Sequence, residues 1–139
     1  NPNVIKDLAE HMKKNLCDIG TLASHFANNY EEKDPNVVKV LIEKKIENKL
    51  YAKAVDFFRT SNKPLSKNTY HHVGIYAFTN KALIRYISLE RSKLEIERKL
   101  EQLRALENKM TIDVGYIDAC PLSVDTESDL IAVKKLMER

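Results

Sequence analysis

HVGIYAFTNKALIRYISL, residues 72–89, joins the two periodicities that decide the fold. Its first part, His72-Val73-Gly74-Ile75-Tyr76-Ala77-Phe78, is a short run rich in β-branched and aromatic side chains and reads as a central strand. From Lys81 to Leu89 the apolar residues Ala82, Leu83, Tyr86 and Ile87 recur at helical spacing. A strand feeding directly into a helix is the building unit of an α/β domain, in which each element buries one apolar side against the next layer.

Upstream, Val4, Ile5, Leu8, Ala9 and Met12 share one face over residues 2–15, and Lys13 and Lys14 lie near the negative dipole end. Pro2 is pre-set for the first turn of that amphipathic helix. Residues 18–26 set Ile19, Thr21 and Ala23 against Gly20, Leu22 and Ser24, a pattern that predicts a strand covered on both faces. After a polar turn at Glu31-Glu32-Lys33-Asp34-Pro35, the run Val37-Val38-Lys39-Val40-Leu41-Ile42 is too short for a helix and predicts another strand. A partner strand is expected from about Leu50 to Phe57, after a charged hairpin-like turn around Lys44 and Glu47. Residues 59–70 carry no apolar period and read as a surface loop, where binding groups often sit.

Downstream, Ser92 and Glu95 have capping-box spacing and open one long predicted helix with Ile96, Leu100, Leu103, Leu106 and Met110 on its core side. Thr111 to Ile117 reads as a strand and Pro121 to Asp125 as a loop. Thr126 caps a last helix, packed down by Leu130, Val133 and Met137. The expected fold is therefore a single α/β domain over residues 1–139, a mixed, mainly parallel layered sheet with flanking helices.

A chain of 139 residues is long enough to bury a core as one domain. With 43% hydrophobic and 31% charged residues, it lacks the run of roughly 18 apolar residues that a spanning helix needs, so no membrane partner is expected. The net charge of +3 comes from 23 basic and 20 acidic residues spread along the whole chain, which gives no phosphate-tracking stripe and argues against nucleic acid. Cys17 and Cys120 lack metal-type spacing and read as apolar filler in a reduced, cytoplasmic protein. No signal peptide is legible, and a start at Asn1 suggests a processed or truncated chain. Three glycines and no Walker or dinucleotide loop mean that any phosphate cradle must come from elsewhere.

Against that background a set of polar residues lies at element ends or beside strands: Arg59, His72, Tyr76, Glu101, Gln102 and Asp125. His72 and Tyr76 are four apart on a strand, so both point to one face, where they could bind a hydroxyl-rich ligand. Glu101 and Gln102 together offer several acceptors and two donors to vicinal hydroxyls, although an exposed helix face with a Glu101–Arg104 pair is the plainer reading. Asp125, just before a helix cap, is a hard oxygen ligand suited to Mg²⁺, yet helix starts attract Asp anyway.

Taken in order, Asp34-Pro35-Asn36-Val37-Val38-Lys39-Val40, His72-Val73-Gly74-Ile75-Tyr76, Leu100-Glu101-Gln102-Leu103-Arg104 and Val124-Asp125-Thr126 resemble the successive signatures of 3-deoxy-manno-octulosonate (Kdo) cytidylyltransferases, the CMP-Kdo synthetases. The resemblance runs over nearly the whole chain and implies the sugar-binding and dimerisation part of a nucleotide-diphospho-sugar transferase type of fold, with the N-terminal, CTP-binding half missing. It implies transfer of CMP from CTP to Kdo with loss of pyrophosphate, assisted by Mg²⁺, in a cytoplasmic homodimer that serves lipopolysaccharide synthesis. By resemblance His72 and Tyr76 bind Kdo, Glu101 and Gln102 meet its hydroxyls, Arg59 lies near its carboxylate and Asp125 is a Mg²⁺ ligand. His71, Phe58 and Arg98 depart from the family pattern, and the loop from Thr60 to Tyr70 is shorter than usual. No turnover is expected of this chain alone. The competing readings are a non-catalytic binding or dimerisation module, marked by a self-complementary apolar surface on the central strands with His72 and Glu101 pointing apart, and a cytidylyltransferase for another acidic sugar such as a sialic acid.

Overall fold

The structure is a computed structural model that describes residues 2–46, 51–118, 124 and 127–138. In chain order the elements are α1 (Asn3–Lys14), β1 (Ile19–Ser24), α2 (Asn29–Lys33), β2 (Lys39–Ile42), β3 (Tyr51–Phe58), β4 (Thr69–Phe78), α3 (Asn80–Ser88), α4 (Lys93–Arg98), α5 (Gln102–Glu107), β5 (Ile112–Tyr116) and α6 (Glu127–Met137). The expected strand–helix junction at residues 78–80 is present, with the Thr79 side chain accepting from the Ala82 N–H to start α3. Leu50, Glu47, Cys120, Asp125, the Thr126 cap and most of the 121–125 loop lie outside the described residues.

The sheet is mixed, as expected, but it is neither mainly parallel nor an open layer. Its pairings run β1-β4-β2-β3-β5 and close on themselves, with β1 and β5 parallel and the other four pairings antiparallel. The reason is connectivity: β2, β3 and β4 follow one another with no helix between them among the described residues, and such strands pair antiparallel. Only β5, which returns after three helices, reaches β1 in parallel. Bulges at Thr21/Leu22 and Leu41/Ile42 bend the strands enough to close the ring.

β1 is buried along its whole length, as its two-sided apolar pattern predicts. One core gathers Ile19, Val40, Ile42, Phe57, Tyr70, Leu103, Ile112 and Val114, while Leu8 of α1 packs on Leu22 and Val73. A Cβ at Gly20 would lie 2.8 Å from Leu8 Cδ1, so glycine there lets α1 sit directly on β1.

The polar stretch expected as a turn contains α2 instead, because the Asn28 side chain accepts from the N–H groups of Tyr30 and Glu31 and starts a helical turn without any apolar face. The single long helix expected after Ser92 is two helices. Lys99 adopts a left-handed conformation, φ 54°, and the Leu100 N–H donates back to the Glu95 carbonyl, which ends α4 in a Schellman-type turn. The break leaves Ile96 exposed while Leu100 and Leu103 are buried, so the helical apolar period was carried by two faces. Met137, expected to pack α6 down, is 82% exposed.

Candidate functional site

Five of the six residues singled out by sequence, Arg59, His72, Tyr76, Glu101 and Gln102, line one cavity of about 490 Å³. Ile19, Val38, Phe78, Leu83, Tyr86 and Leu100 give it apolar walls. Asp125 lies outside the described residues.

β4 supplies one wall through its bulge. Thr21 pairs with Tyr76 while the next residue, Leu22, pairs with Val73, so Gly74 and Ile75 are extra residues in β4. Two extra residues preserve strand alternation, and the His72 and Tyr76 rings stay on one side with centroids 5.4 Å apart. Gly74 also lines the cavity, and nothing lies within 4 Å of where its Cβ would be.

His72 is buried at the back of this wall. The Thr21 hydroxyl donates its one proton to the Ile75 carbonyl at 2.7 Å, so His72 Nε2–H donates to Thr21 Oγ1 at 2.9 Å, leaving Nδ1 as an acceptor. Burial, with the neighbouring His71 charge, pushes the His72 pKa down to about 3, and the ring is neutral at physiological pH. Burial likewise raises the Tyr76 phenol above its usual range, so it keeps its proton to donate.

The opposite wall is built by the α4–α5 break. Glu95 is buried and receives Arg104 in a two-pronged ion pair, Nη2 to Oε1 at 2.6 Å and Nε to Oε2 at 2.8 Å. Those bonds hold the Glu95 pKa down at about 2. Arg104 also lies over the Tyr86 ring, 4.7 Å from its centroid. The expected Glu101–Arg104 pair is therefore not formed, and Glu101 faces the cavity without it. Tyr86 donates to the Glu101 carbonyl at 3.1 Å, fixing the start of α5 against α3. Gln102 is only 9% exposed, and its side-chain amide makes no hydrogen bond among the described residues. An amide with no protein partner on a cavity wall is free to bind a polar ligand.

Two cations, Arg59 and Lys99, complete the lining. Arg59 Nη1 donates to the Pro35 and Asn36 carbonyls at 3.3 and 3.2 Å, which anchors one prong of its fork. Lys39, fully buried, donates to the Val37 and Arg59 carbonyls at 2.9 and 2.8 Å and ties that loop to the end of β3. Lys99 is the cation that sequence reasoning missed, because its place on the rim follows from a left-handed turn that no residue pattern announced. The departures from the family pattern have their own contacts: Arg98 Nη1 binds both Asp56 oxygens at 2.8 and 3.0 Å, and His71 Nδ1 lies 3.1 Å from Glu31 Oε2.

Comparison with known proteins places these features in context. A family model described as Cytidylyltransferase matches residues 1–112. The chain is 42% identical over 136 residues to the 3-deoxy-manno-octulosonate cytidylyltransferase of Bartonella tribocorum, and 40% identical to that of Rhodopseudomonas palustris. Each alignment covers 98% of this chain and 55% of the relative, so the chain spans about half the length of the curated relatives it matches. A solved CMP:2-keto-3-deoxy-manno-octonic acid synthetase, complexed with CTP, superposes with a TM-score of 0.85 at 29% identity, covering 99% of this chain and 56% of that one.

Proposed function

The chain belongs to the cytidylyltransferase family, and from that premise we propose that it is the sugar-binding and dimerisation part of an enzyme that transfers CMP from CTP to Kdo, releasing pyrophosphate. The reading extends to a nucleotide-diphospho-sugar transferase type of architecture in the whole protein, to a cytoplasmic homodimer and to a product used in lipopolysaccharide synthesis. What carries it is the convergence of Arg59, His72, Tyr76, Glu101 and Gln102 on one cavity. Of the two marks of the binding-module alternative, one was His72 and Glu101 pointing apart, and against it both line the same cavity.

In this reading the free prong of Arg59, with Lys99 as a second cation of the same lining, takes the carboxylate of the sugar acid. Neutral His72 and protonated Tyr76 offer one acceptor and one donor to sugar hydroxyls, while Glu101 and Gln102 take a vicinal pair. Where a bond reaches a buried group such as His72, it discriminates by leaving that group unpaired when a hydroxyl is missing. Magnesium enters through Asp125, outside the described residues. Among the described lining residues Glu101 is the only carboxylate, too few hard oxygens for that ion, so no step is derived through it.

The test is CMP-sugar formation by the full-length protein given CTP, Mg²⁺ and either Kdo or a sialic acid. CMP-Kdo is the expected product; no product, or CMP-sialic acid alone, overturns the reading. Gln102→Leu is expected to raise KM for Kdo at least about tenfold while leaving KM for CTP unchanged, since the lost bonds belong to the sugar alone.

A further inference from the structure

A second cluster shares no residue with the cavity. His11 in the last turn of α1, Cys17 in the connection to β1 and Asp113 on β5 bring a ring nitrogen, a sulfur and a carboxylate oxygen within 4.8 Å of one another. His11 Nε2 lies 2.7 Å from Asp113 Oδ2. The His11 ring stacks flat on Tyr51, centroids 3.6 Å apart and 7° between planes, which fixes its orientation. Cys17 is 6% exposed and Asp113 9%. The other carboxylate oxygen, Asp113 Oδ1, is buried with no hydrogen-bond partner among the described residues.

An unpaired, buried carboxylate oxygen is costly unless a cation or donor meets it. Imidazole, thiolate and carboxylate together are the donor set of a borderline-soft divalent ion and ill suited to magnesium or calcium, which take oxygen alone. We propose that His11, Cys17 and Asp113 form a three-ligand site for a zinc-type divalent cation, with a fourth position left to water. With zinc–ligand bonds of about 2.0 to 2.3 Å, ligand atoms stand roughly 3.3 to 3.6 Å apart, so His11 and Asp113 separate by about half an ångström and the widest gap closes by about one. Burial and the Asp113 carboxylate push the Cys17 thiol up to about 11, so the ion must displace that proton, which leaves to water. Asn15 Nδ2 lies 3.1 Å from His11 Nδ1 and donates to the His11 carbonyl at 2.9 Å, so the Nδ1–H that a zinc-bound imidazole carries requires the Asn15 side chain to swing aside.

The test is titration of the purified full-length protein with Co²⁺ in excess Mg²⁺, read by visible and near-ultraviolet absorption. Tetrahedral cobalt bands with a thiolate-to-cobalt charge-transfer band, displaced by Zn²⁺, are expected. Cys17→Ser should abolish the charge-transfer band, and His11→Gln, on a part-exposed helix turn that tolerates change, should weaken cobalt binding at least about tenfold. Absence of the band in folded wild-type protein overturns the site. So does a band that survives in Cys17→Ser, which would place the sulfur ligand at Cys120, or unchanged affinity in His11→Gln.

Discussion

Gly74 is the residue whose side chain, if it had one, would enter the cavity. Its φ is not positive and its surroundings are open, so glycine is required there neither by backbone strain nor by core packing. Gly74→Val is therefore expected to leave the melting temperature nearly unchanged while lowering kcat/KM of the full-length enzyme at least about tenfold, the effect of one or two misplaced methyl groups in a fitted pocket. Thermal unfolding and steady-state kinetics on the same preparation check it; a fall in stability with unchanged kinetics would mean that the cavity is not the sugar site. His72 and Tyr76 were legible in the sequence because even spacing on a strand survives a two-residue bulge. Lys99 and the freeing of Glu101 were not legible, since both depend on Arg104 turning to Glu95 across a helix break.

Among the elements, α4 and α5 carry the least obvious design. Each ends on a lysine in the left-handed region, Lys99 at φ 54° and Lys109 at φ 58°, with the next residue's N–H bonding back to Glu95 and Ala105 carbonyls. A non-glycine residue held there costs about 1 kcal/mol. Lys109 does not line the cavity, so Lys109→Gly is expected to raise stability by up to about 1 kcal/mol in denaturant titration without altering substrate binding. Glu95→Gln makes the opposite change: it leaves the half-buried Arg104 guanidinium without the buried carboxylate it pairs with and should cost about 3 kcal/mol, with the α5 wall of the cavity loosened. Strands were read correctly because their patterns are local and short. Their pairing was not, because strand–helix alternation looks the same whether a returning strand lies beside its predecessor or, as β5 does, beside β1 and β3.

For the whole molecule, the two perturbed groups flanking the cavity set how the closed sheet responds to acid. His72 has a folded pKa of about 3 against an ordinary 6.5, so the unfolded chain takes up its proton first on acidification. Its contribution to stability is complete above pH 6.5 and declines as pH falls toward 3, by on the order of 2 kcal/mol at pH 5. Glu95, depressed to about 2 from 4.5, contributes fully above pH 4.5 and loses its share only as pH falls from there toward 2. Acid unfolding is thus expected to steepen in two stages, the β4 wall acting alone between pH 6.5 and 4.5 and the α4–α5 clamp joining it below 4.5. Denaturant unfolding measured at steps of pH separates them: His72→Phe should flatten the slope between pH 6.5 and 4.5 and lessen it from there to 3, while Glu95→Gln should leave the upper stage unchanged and lessen the slope only below 4.5. An unchanged slope in His72→Phe would mean that the ring titrates while the protein stays folded, and that the cavity admits water or a counter-charge to its back wall.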